Sequence, residues 1–141
     1  MSIKQIAIFV ENKPGALASI TEVMAEKNIN IKAFSIADTK EFGIMRIVVE
    51  NPEETDAALK EAGYITKITP VLAVEIKDVP GSMSKILKVL ADAWISVEYT
   101  YAFTSYKEGE AYMMFKVNDT DKATDALKAA GIAVAEQSEI F

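Results

Sequence analysis

The stretch Ile6-Ala7-Ile8-Phe9-Val10-Glu11-Asn12-Lys13-Pro14-Gly15-Ala16-Leu17 is echoed by Leu72-Ala73-Val74-Glu75-Ile76-Lys77-Asp78-Val79-Pro80-Gly81-Ser82-Met83. From Ile6 to Leu72 is 72 − 6 = 66 positions. Each copy is an apolar, β-branched run broken by Pro-Gly and followed by a helix-like segment, and self-similarity over such a distance is the mark of a repeated structural unit. The register continues through Ile20/Ile86, Val23/Val89, Met24/Leu90, Ala25/Ala91, Ile29/Ile95 and Ile31/Val97. A two-residue insertion near Lys107 to Gly109 resets it, and it resumes at Val49/Val117, Leu59/Leu127, Ala62/Ala130 and Gly63/Gly131. The chain is a duplication whose halves, 1–69 and 70–141, meet at Pro70.

Outward from the quoted stretch, each half reads strand, helix, strand, strand, helix, strand. In the first, Lys4 to Val10 is a strand and Pro14-Gly15 opens a helix reaching about Lys27. That helix carries Leu17, Ile20, Val23 and Met24 at three-and-four spacing, which gives it one buried face. Ile31 to Ala37 and Ile44 to Val49 are strands joined by a hairpin at Asp38-Thr39-Lys40-Glu41. Asn51-Pro52-Glu53-Glu54 supplies an N-cap residue, a proline at the first helical position and acids at the positive end of the dipole. The helix ends at Gly63, placed for a left-handed C-cap, and Tyr64 to Thr69 is the fourth strand. The second half repeats the order over Val71–Lys77, Met83–Ala93, Val97–Phe103, Ala111–Val117, Asp121–Ala130 and Ala133–Ile140. A βαββαβ order with right-handed crossovers predicts an α+β, ferredoxin-like unit: a four-stranded antiparallel sheet with two helices on one face. So short a junction predicts two units packed together. Ile44, Met45, Ile47, Val48 and Val49 are apolar in both registers, so the second sheet face is expected to be covered as well, by the other half or by another subunit, the alternative being a strand that tolerates exposed valine.

Composition narrows the chemistry. The 141 residues suffice for one ordinary domain or two small ones. Half the residues are hydrophobic and 26% charged, a globular balance. Fifteen Lys plus Arg against 21 Asp plus Glu give a net charge of -6, which repels phosphate backbones and anionic lipid surfaces. No nucleic acid and no membrane partner is expected. Cysteine and histidine are both absent, removing thiolate nucleophiles, disulfides, imidazole bases and the usual zinc or copper ligands. No cofactor, metal or catalytic residue is expected. No apolar run approaches the ~20 residues of a membrane span and no signal-peptide pattern opens the chain, so a cytoplasmic location is the expectation.

The turn Glu11-Asn12-Lys13-Pro14-Gly15-Ala16-Leu17 holds most of the chemical content. Glycine allows close approach to the backbone, and the first helical turn offers unpaired N–H groups with partial positive charge, suited to a carboxylate. The side-chain carbonyl of Asn12, and that of Asn30 if its strand entrance lies beside the same loop, would accept from an ammonium. A helix terminus contributes ~0.3–2 kcal/mol and charged hydrogen bonds ~1.5–3 kcal/mol each, enough for roughly micromolar to millimolar affinity. The alternative is an ordinary turn with Asn12 as a loop residue. In the second copy Asp78 stands for Asn12 and Ser96 for Asn30, beside Pro80, Gly81, Ser82 and Met83.

Ile8 to Leu17, followed by Asn28-Ile29-Asn30-Ile31, resembles the ACT domain, an amino-acid-sensing regulatory module of many metabolic enzymes. Asp78-Val79-Pro80-Gly81 and Ile95-Ser96-Val97 resemble it more loosely, so the likeness spans the chain as two tandem copies without a catalytic domain. In the serine-sensing member the Glu-Asn-basic-Pro-Gly loop and the Asn after the first helix bind the ligand, which maps onto Asn12 and Asn30. That member has a His where this chain has Val10, which removes one polar contact. Phe42-Gly43-Ile44-x-Arg46 and Glu98-Tyr99-x-Tyr101-x-Phe103 are similar to features of stand-alone double-ACT proteins. The resemblance implies a non-catalytic, homo-oligomeric (dimeric) regulator that binds a small amino acid and modulates a metabolic enzyme or its own assembly.

The expected ligand-binding residues are Asn12, Pro14, Gly15, Ala16, Leu17, Asn30, Ile31 and Arg46, with Asp78, Pro80, Gly81, Ser82, Met83 and Ser96 in the second copy. Arg46 has two readings, a partner for a ligand carboxylate or a structural ion pair with an acid such as Glu98. Tyr99, Tyr101 and Phe103 share a strand face and read as packing, as an interface, or as a base-stacking platform of the RNA-binding βαββαβ module. The net charge and the lack of that module's basic, aromatic strand signature argue against RNA. An acylphosphatase-like enzyme would need an arginine in the first turn, where this chain has Lys13. An assembly subunit with vestigial ligand sites is the remaining alternative.

Overall fold

A computed structural model describes residues 2–38, 41–103 and 110–141. The loop residues Thr39 and Lys40 and the insertion near Lys107 to Gly109 lie outside the described residues. Among the described residues four α-helices and seven strands follow in the order β1 (Ile3–Glu11), α1 (Ala16–Glu26), β2 (Ile31–Asp38), β3 (Phe42–Val49), α2 (Pro52–Glu61), β4 (Thr66–Lys77), α3 (Ser82–Asp92), β5 (Val97–Phe103), β6 (Glu110–Val117), α4 (Thr120–Ala129) and β7 (Val134–Ala135). Backbone contacts divide the chain into a first unit, Lys4–Thr69, and a second, Met1–Ile3 with Pro70–Phe141. Strand β4 includes Pro70, so the junction is itself extended backbone, a conformation that proline's fixed φ allows.

In the first unit β3 is flanked by β1 and β2, both antiparallel, with Val10 opposite Gly43 and Ile36 opposite Met45. The segment entering β4 lies beside β1, where the Phe9 amide donates to the Ile65 carbonyl at 3.0 Å. Because side chains alternate along a strand, Ile6, Ile8 and Val10 share a face with Met45, Ile47 and Val49. Against this face pack Ile20 and Met24 of α1 and Leu59 of α2, in one buried cluster. The second unit builds the matching cluster from Leu72, Val74, Ile86, Leu90, Phe115, Val117 and Leu127. Its strands pair as β7 with β4, β4 with β6 and β6 with β5, all antiparallel. The same strand-helix face is thus filled in both copies from equivalent positions, with the same side chain at Ile20/Ile86, Val49/Val117 and Leu59/Leu127 and a different one at Ile6/Leu72, Ile8/Val74, Met24/Leu90 and Ile47/Phe115.

All four helices end alike. The residue just past each C-cap, Asn28, Gly63, Trp94 or Gly131, is left-handed, with φ of 57°, 93°, 57° and 75°. The following amide reaches back to the last turn, as from Ile29 to Met24 at 2.9 Å and from Tyr64 to Leu59 at 3.0 Å. Their starts differ. Pro52 opens α2 with Glu53 and Glu54 in its first turn, and Asp119 caps α4 by accepting from the Lys122 amide at 3.0 Å. Asn51 occupies the N-cap of α2, but its side chain makes no cap bond; its carbonyl instead accepts from the Thr55 hydroxyl at 2.9 Å.

Two expectations are corrected. The last strand is not Ala133–Ile140 but the two residues Val134–Ala135, after which Gln137–Glu139 turn into a 3₁₀ helix closed by a Glu136–Glu139 capping box. The fourth strand begins at Thr66, because Gly63 to Ile65 form the exit turn of α2. On the face of the first unit away from its helices, Val48 is fully buried, while Phe9, Phe42 and Ile44 are about two-fifths exposed in the single chain.

Candidate functional site

The end of β1 turns tightly into α1. The Lys13 amide donates to the Glu11 carbonyl at 3.0 Å, the Asn12 amide to the Glu41 carbonyl at 3.0 Å, and the Ala16 amide to the Lys13 carbonyl at 3.2 Å. Gly15 sits at the N-cap with φ 84° and ψ −9°, where a side chain would be strained. Glycine offers no side-chain oxygen, so α1 has no side-chain cap, and it has no acid in its first turn. Among the described residues nothing accepts from the Leu17 or Ala18 amides. The first turn of α3 is built the same way. Gly81 has φ 88°, no side-chain cap bond is made, no acid follows, and the Ser82 amide is taken by the Val79 carbonyl at 3.3 Å. The helices that follow the Pro-Gly turns therefore keep their positive ends uncompensated, whereas α2 and α4 carry acids there.

Beside this turn, on the helix-covered face, lies a cavity of about 70 Å³ lined by Val10, Glu11, Asn12, Lys13, Leu17, Ile36 and Gly43. A water occupies ~30 Å³ of liquid, so the space admits roughly two water-sized groups, such as a carboxylate or a short side chain. Gly43 narrows one wall without filling it. Leu17 and Ile36 make the site apolar, while the Glu11–Lys13 pair at 3.1 Å cancels charge at its rim. A wider cavity of about 390 Å³ lies on the other side of the same turn, lined by residues including Ala16, Ser19, Tyr64 and Ile65. The second unit has the equivalent of this wider cavity, about 280 Å³, in which Glu75 stands for Phe9, Lys77 for Glu11 and Lys85 for Ser19.

Of the residues expected from the sequence, Asn12 and Leu17 line the small cavity, Ala16 lines the wider one, and Pro14 and Gly15 form the turn between strand and helix. Asn30 and Ile31 do not join them. Asn30 lines a separate polar cleft with Asn28, Glu50, Asn51 and Glu54, and Ile31 pairs with Val49 at the end of β3 opposite Gly43. Val49 is six positions from Gly43 along β3, about 20 Å at the rise of a strand, so one small molecule cannot touch Asn12 and Asn30 of the same unit. Arg46 pairs with Ala7 and Ser35, which places it on the sheet face away from Gly43 and the cavity. Its expected acid, Glu98, pairs with Lys116 at 3.0 Å.

In the second copy, Ser82 lines the wide cavity, Asp78 is exposed, Pro80 and Gly81 make the turn, and Met83 packs on the hydrophobic core. Ser96 lies at the far end, its amide donating to the Asn118 side chain at 3.0 Å. Tyr101 and Phe103 are buried, Tyr99 stacks on Tyr101 with centroids 6.4 Å apart, and Phe103 meets Tyr112 and Phe141 edge-on. This aromatic row is packing, not an open platform. Sequence reasoning missed Ile36 and Gly43 as site residues. A glycine inside an apolar strand was the available signal of a close approach, but what approaches it depends on the Val10–Gly43 register.

No cluster of metal-ligating side chains occurs among the described residues, and no helix is long and apolar enough to cross a membrane. The chain is similar over 99% of its length to a protein of Bacteroides thetaiotaomicron whose crystal structure superposes with a TM-score of 0.93 at 34% identity, covering 96% of that chain. The regulatory subunit of aspartate kinase from Thermus thermophilus shares the fold, with a TM-score of 0.68 at 20% identity over 91% of this chain and 90% of that one. The acetolactate synthase small subunit of Mycolicibacterium smegmatis is 21% identical over 137 residues, 95% of this chain and 75% of that protein. The family described as the ACT domain pair matches residues 1–141, and the chain belongs to it.

Proposed function

We propose that this protein is a non-catalytic regulator, cytoplasmic and homo-oligomeric, that binds a small amino acid at the β1–α1 turn of its first half and thereby modulates an enzyme of amino-acid metabolism or its own assembly. The proposal takes each half, 1–69 and 70–141, as a ferredoxin-like unit with two helices on one face of a four-stranded sheet. The observation that carries the reading is the uncapped, acid-free first turn of α1, with the Leu17 and Ala18 amides unclaimed beside an apolar cavity of about 70 Å³. An α-carboxylate satisfies those amides and is stabilised by the helix dipole. A short apolar side chain fits against Leu17 and Ile36, and Asn12 lines the same cavity, where an amide oxygen would accept from the ammonium.

Within a single unit such a ligand lies apart from Asn30, which lines another cleft, and from Arg46, which is on the other face of the sheet. In the second copy, Asp78 in place of Asn12 sets a negative charge beside the turn, which opposes a carboxylate and makes this the weaker site. Relatives named as the small subunit of a synthase and the regulatory subunit of a kinase support action alongside an enzyme. Regulation requires that the ligand bind two arrangements unequally.

The test is calorimetric titration of the full chain with each proteinogenic amino acid. One small amino acid should bind in the micromolar to millimolar range, and Asn12→Ala should weaken it by ~1–3 kcal/mol. No binding by any of them leaves the assembly subunit as the better reading. Binding that Asn12→Ala does not change moves the ligand to another cavity.

A further inference from the structure

The wider cavity beside the first Pro-Gly turn is a notch in the edge of the sheet. The Phe9 amide donates to the Ile65 carbonyl at 3.0 Å, and if the antiparallel ladder continued, the next residue on that edge, Glu11, would meet Gly63. Gly63 is instead the left-handed exit of α2, with φ 93°, and the two backbones part. Among the described residues nothing accepts from the Glu11 amide. The cavity of about 390 Å³ opens where they part, with Phe9, Ala16, Tyr64 and Ile65 among its walls.

The duplicate unit separates what the fold requires here from what it does not. It makes the same parting, with the Glu75 amide on the Ala133 carbonyl at 3.0 Å and Gly131 left-handed at φ 75°. In its notch Glu75 stands for Phe9, Ile132 for Tyr64, Ala133 for Ile65 and Lys85 for Ser19. The backbone therefore forms a notch with no aromatic ring at the first two positions and only a methyl group at the third. The first unit nevertheless keeps Ile65 72% exposed and Phe9 42% exposed at this place. Large apolar side chains left in water around a concave site are the surface that a ligand covers.

We propose that the notch of the first unit binds an uncharged, two-ring aromatic molecule that carries a carbonyl group. Size sets the number of rings: a dry cavity of about 150 Å³ holds one benzene ring, so about 390 Å³ takes two fused ones. Phe9 and Tyr64 supply aromatic walls, against which a ring packs better than an aliphatic chain does. Polarity sets the carbonyl. The Glu11 amide and the Tyr64 hydroxyl are both donors without a partner among the described residues, whereas the Ser19 hydroxyl already donates to the Gly15 carbonyl at 3.0 Å. Charge excludes an ion, because the charged side chains of the lining, Glu11 and Lys13, pair with each other at 3.1 Å and an ionic ligand would have to break that pair. The notch is thus unsuited to a zwitterion, and this site stands whether or not an amino acid binds beside Asn12.

The experiment is an amide-resolved NMR titration of the full chain with indanone, a neutral bicyclic ketone. Indane, which lacks the carbonyl, and indane carboxylate, which is charged, are titrated beside it. Indanone should bind with a Kd of about 1 mM or tighter, moving the Glu11, Gly63 and Ile65 amides while Lys77, Gly131 and Ala133 stay in place. Indane and the carboxylate should each bind about fivefold more weakly or worse. Ile65→Ala installs the residue of the second unit and should weaken indanone about tenfold. Because that side chain is exposed, the variant should keep the parent's unliganded spectrum away from the substitution. Absence of any movement at these amides up to the solubility limit of indanone overturns the proposal. So does equal movement in both notches, equal affinity for indane, or an Ile65→Ala variant that binds indanone as tightly as the parent.

Discussion

Gly43→Ala separates the cavity from the fold. Gly43 faces Val10 across the β1–β3 ladder, and a Cβ added there would lie 3.6 Å from the Ile36 Cγ2 and 3.4 Å from the Ala37 carbonyl oxygen. Both are ordinary contacts, and Gly43 has no left-handed φ that would strain an alanine. Glycine inside a strand is ~0.5–1 kcal/mol worse than alanine, so the unliganded variant should be as stable as the parent or slightly more so. The same methyl group enters a space of about 70 Å³ that the proposed ligand must share with Leu17 and Ile36. Overfilling a packed site costs ~1–3 kcal/mol, which predicts an affinity loss of roughly 5- to 150-fold. Titration calorimetry gives the affinity and scanning calorimetry without ligand gives the stability. An affinity within twofold of the parent, in a variant that melts normally, would show that the amino acid does not occupy this cavity.

Gly15→Ala makes the opposite test, because nothing lies within 4 Å of the added Cβ yet φ is +84°; pure backbone strain should cost ~1–2 kcal/mol in urea unfolding. Leu59→Ala removes a fully buried side chain from the first core and should cost ~2–5 kcal/mol in the same assay. Thr66→Val probes Asp56. Burial alone would raise the pKa of this carboxyl, but hydrogen bonds from Thr66 and Lys60 and the Lys60 charge outweigh it and hold it below the usual value. A depressed folded-state pKa stabilises the fold above the unfolded-state value of ~3.9, and that stability is lost as pH falls through the folded-state value. The variant should therefore be ~1–2 kcal/mol less stable at pH ~7, with the difference shrinking below pH ~4 as the carboxyl protonates in both states. A difference that is constant from pH ~7 to ~2 would mean the Thr66 hydroxyl matters for packing and not for the charge.

Why Asp56 and Thr66 form a pair in one copy while Thr124 and Val134 replace them in the other is a tertiary matter, since α2 must first be laid beside the start of β4. The same holds at the candidate site. Asn12, Leu17 and Gly15 were legible because they are local to one turn, and a Pro-Gly step before a helix fixes its geometry within a few residues. Ile36 and Gly43 come from two other strands and reach the turn only through the β1–β3–β2 register. Whether Asn30 joins Asn12 is likewise hidden from the sequence: α1 carries the chain away from the turn before β2 begins, so residues on either side of the helix end up at opposite ends of the sheet.

By itself the sequence determined the duplication, the βαββαβ order of each half and the buried faces, because 3.6- and 2-residue periodicities and Pro-Gly or Gly stops act over a few neighbours. It also determined which chemistries are absent, through the lack of histidine and cysteine. Only the tertiary structure decided which of the polar candidates share a cavity, that the last strand stops after Ala135, that Arg46 faces away from the turn, and that the lone tryptophan stands in solvent. Each of those depends on strand register or on the sum of neighbouring surfaces, and neither quantity is carried by any local run of residues.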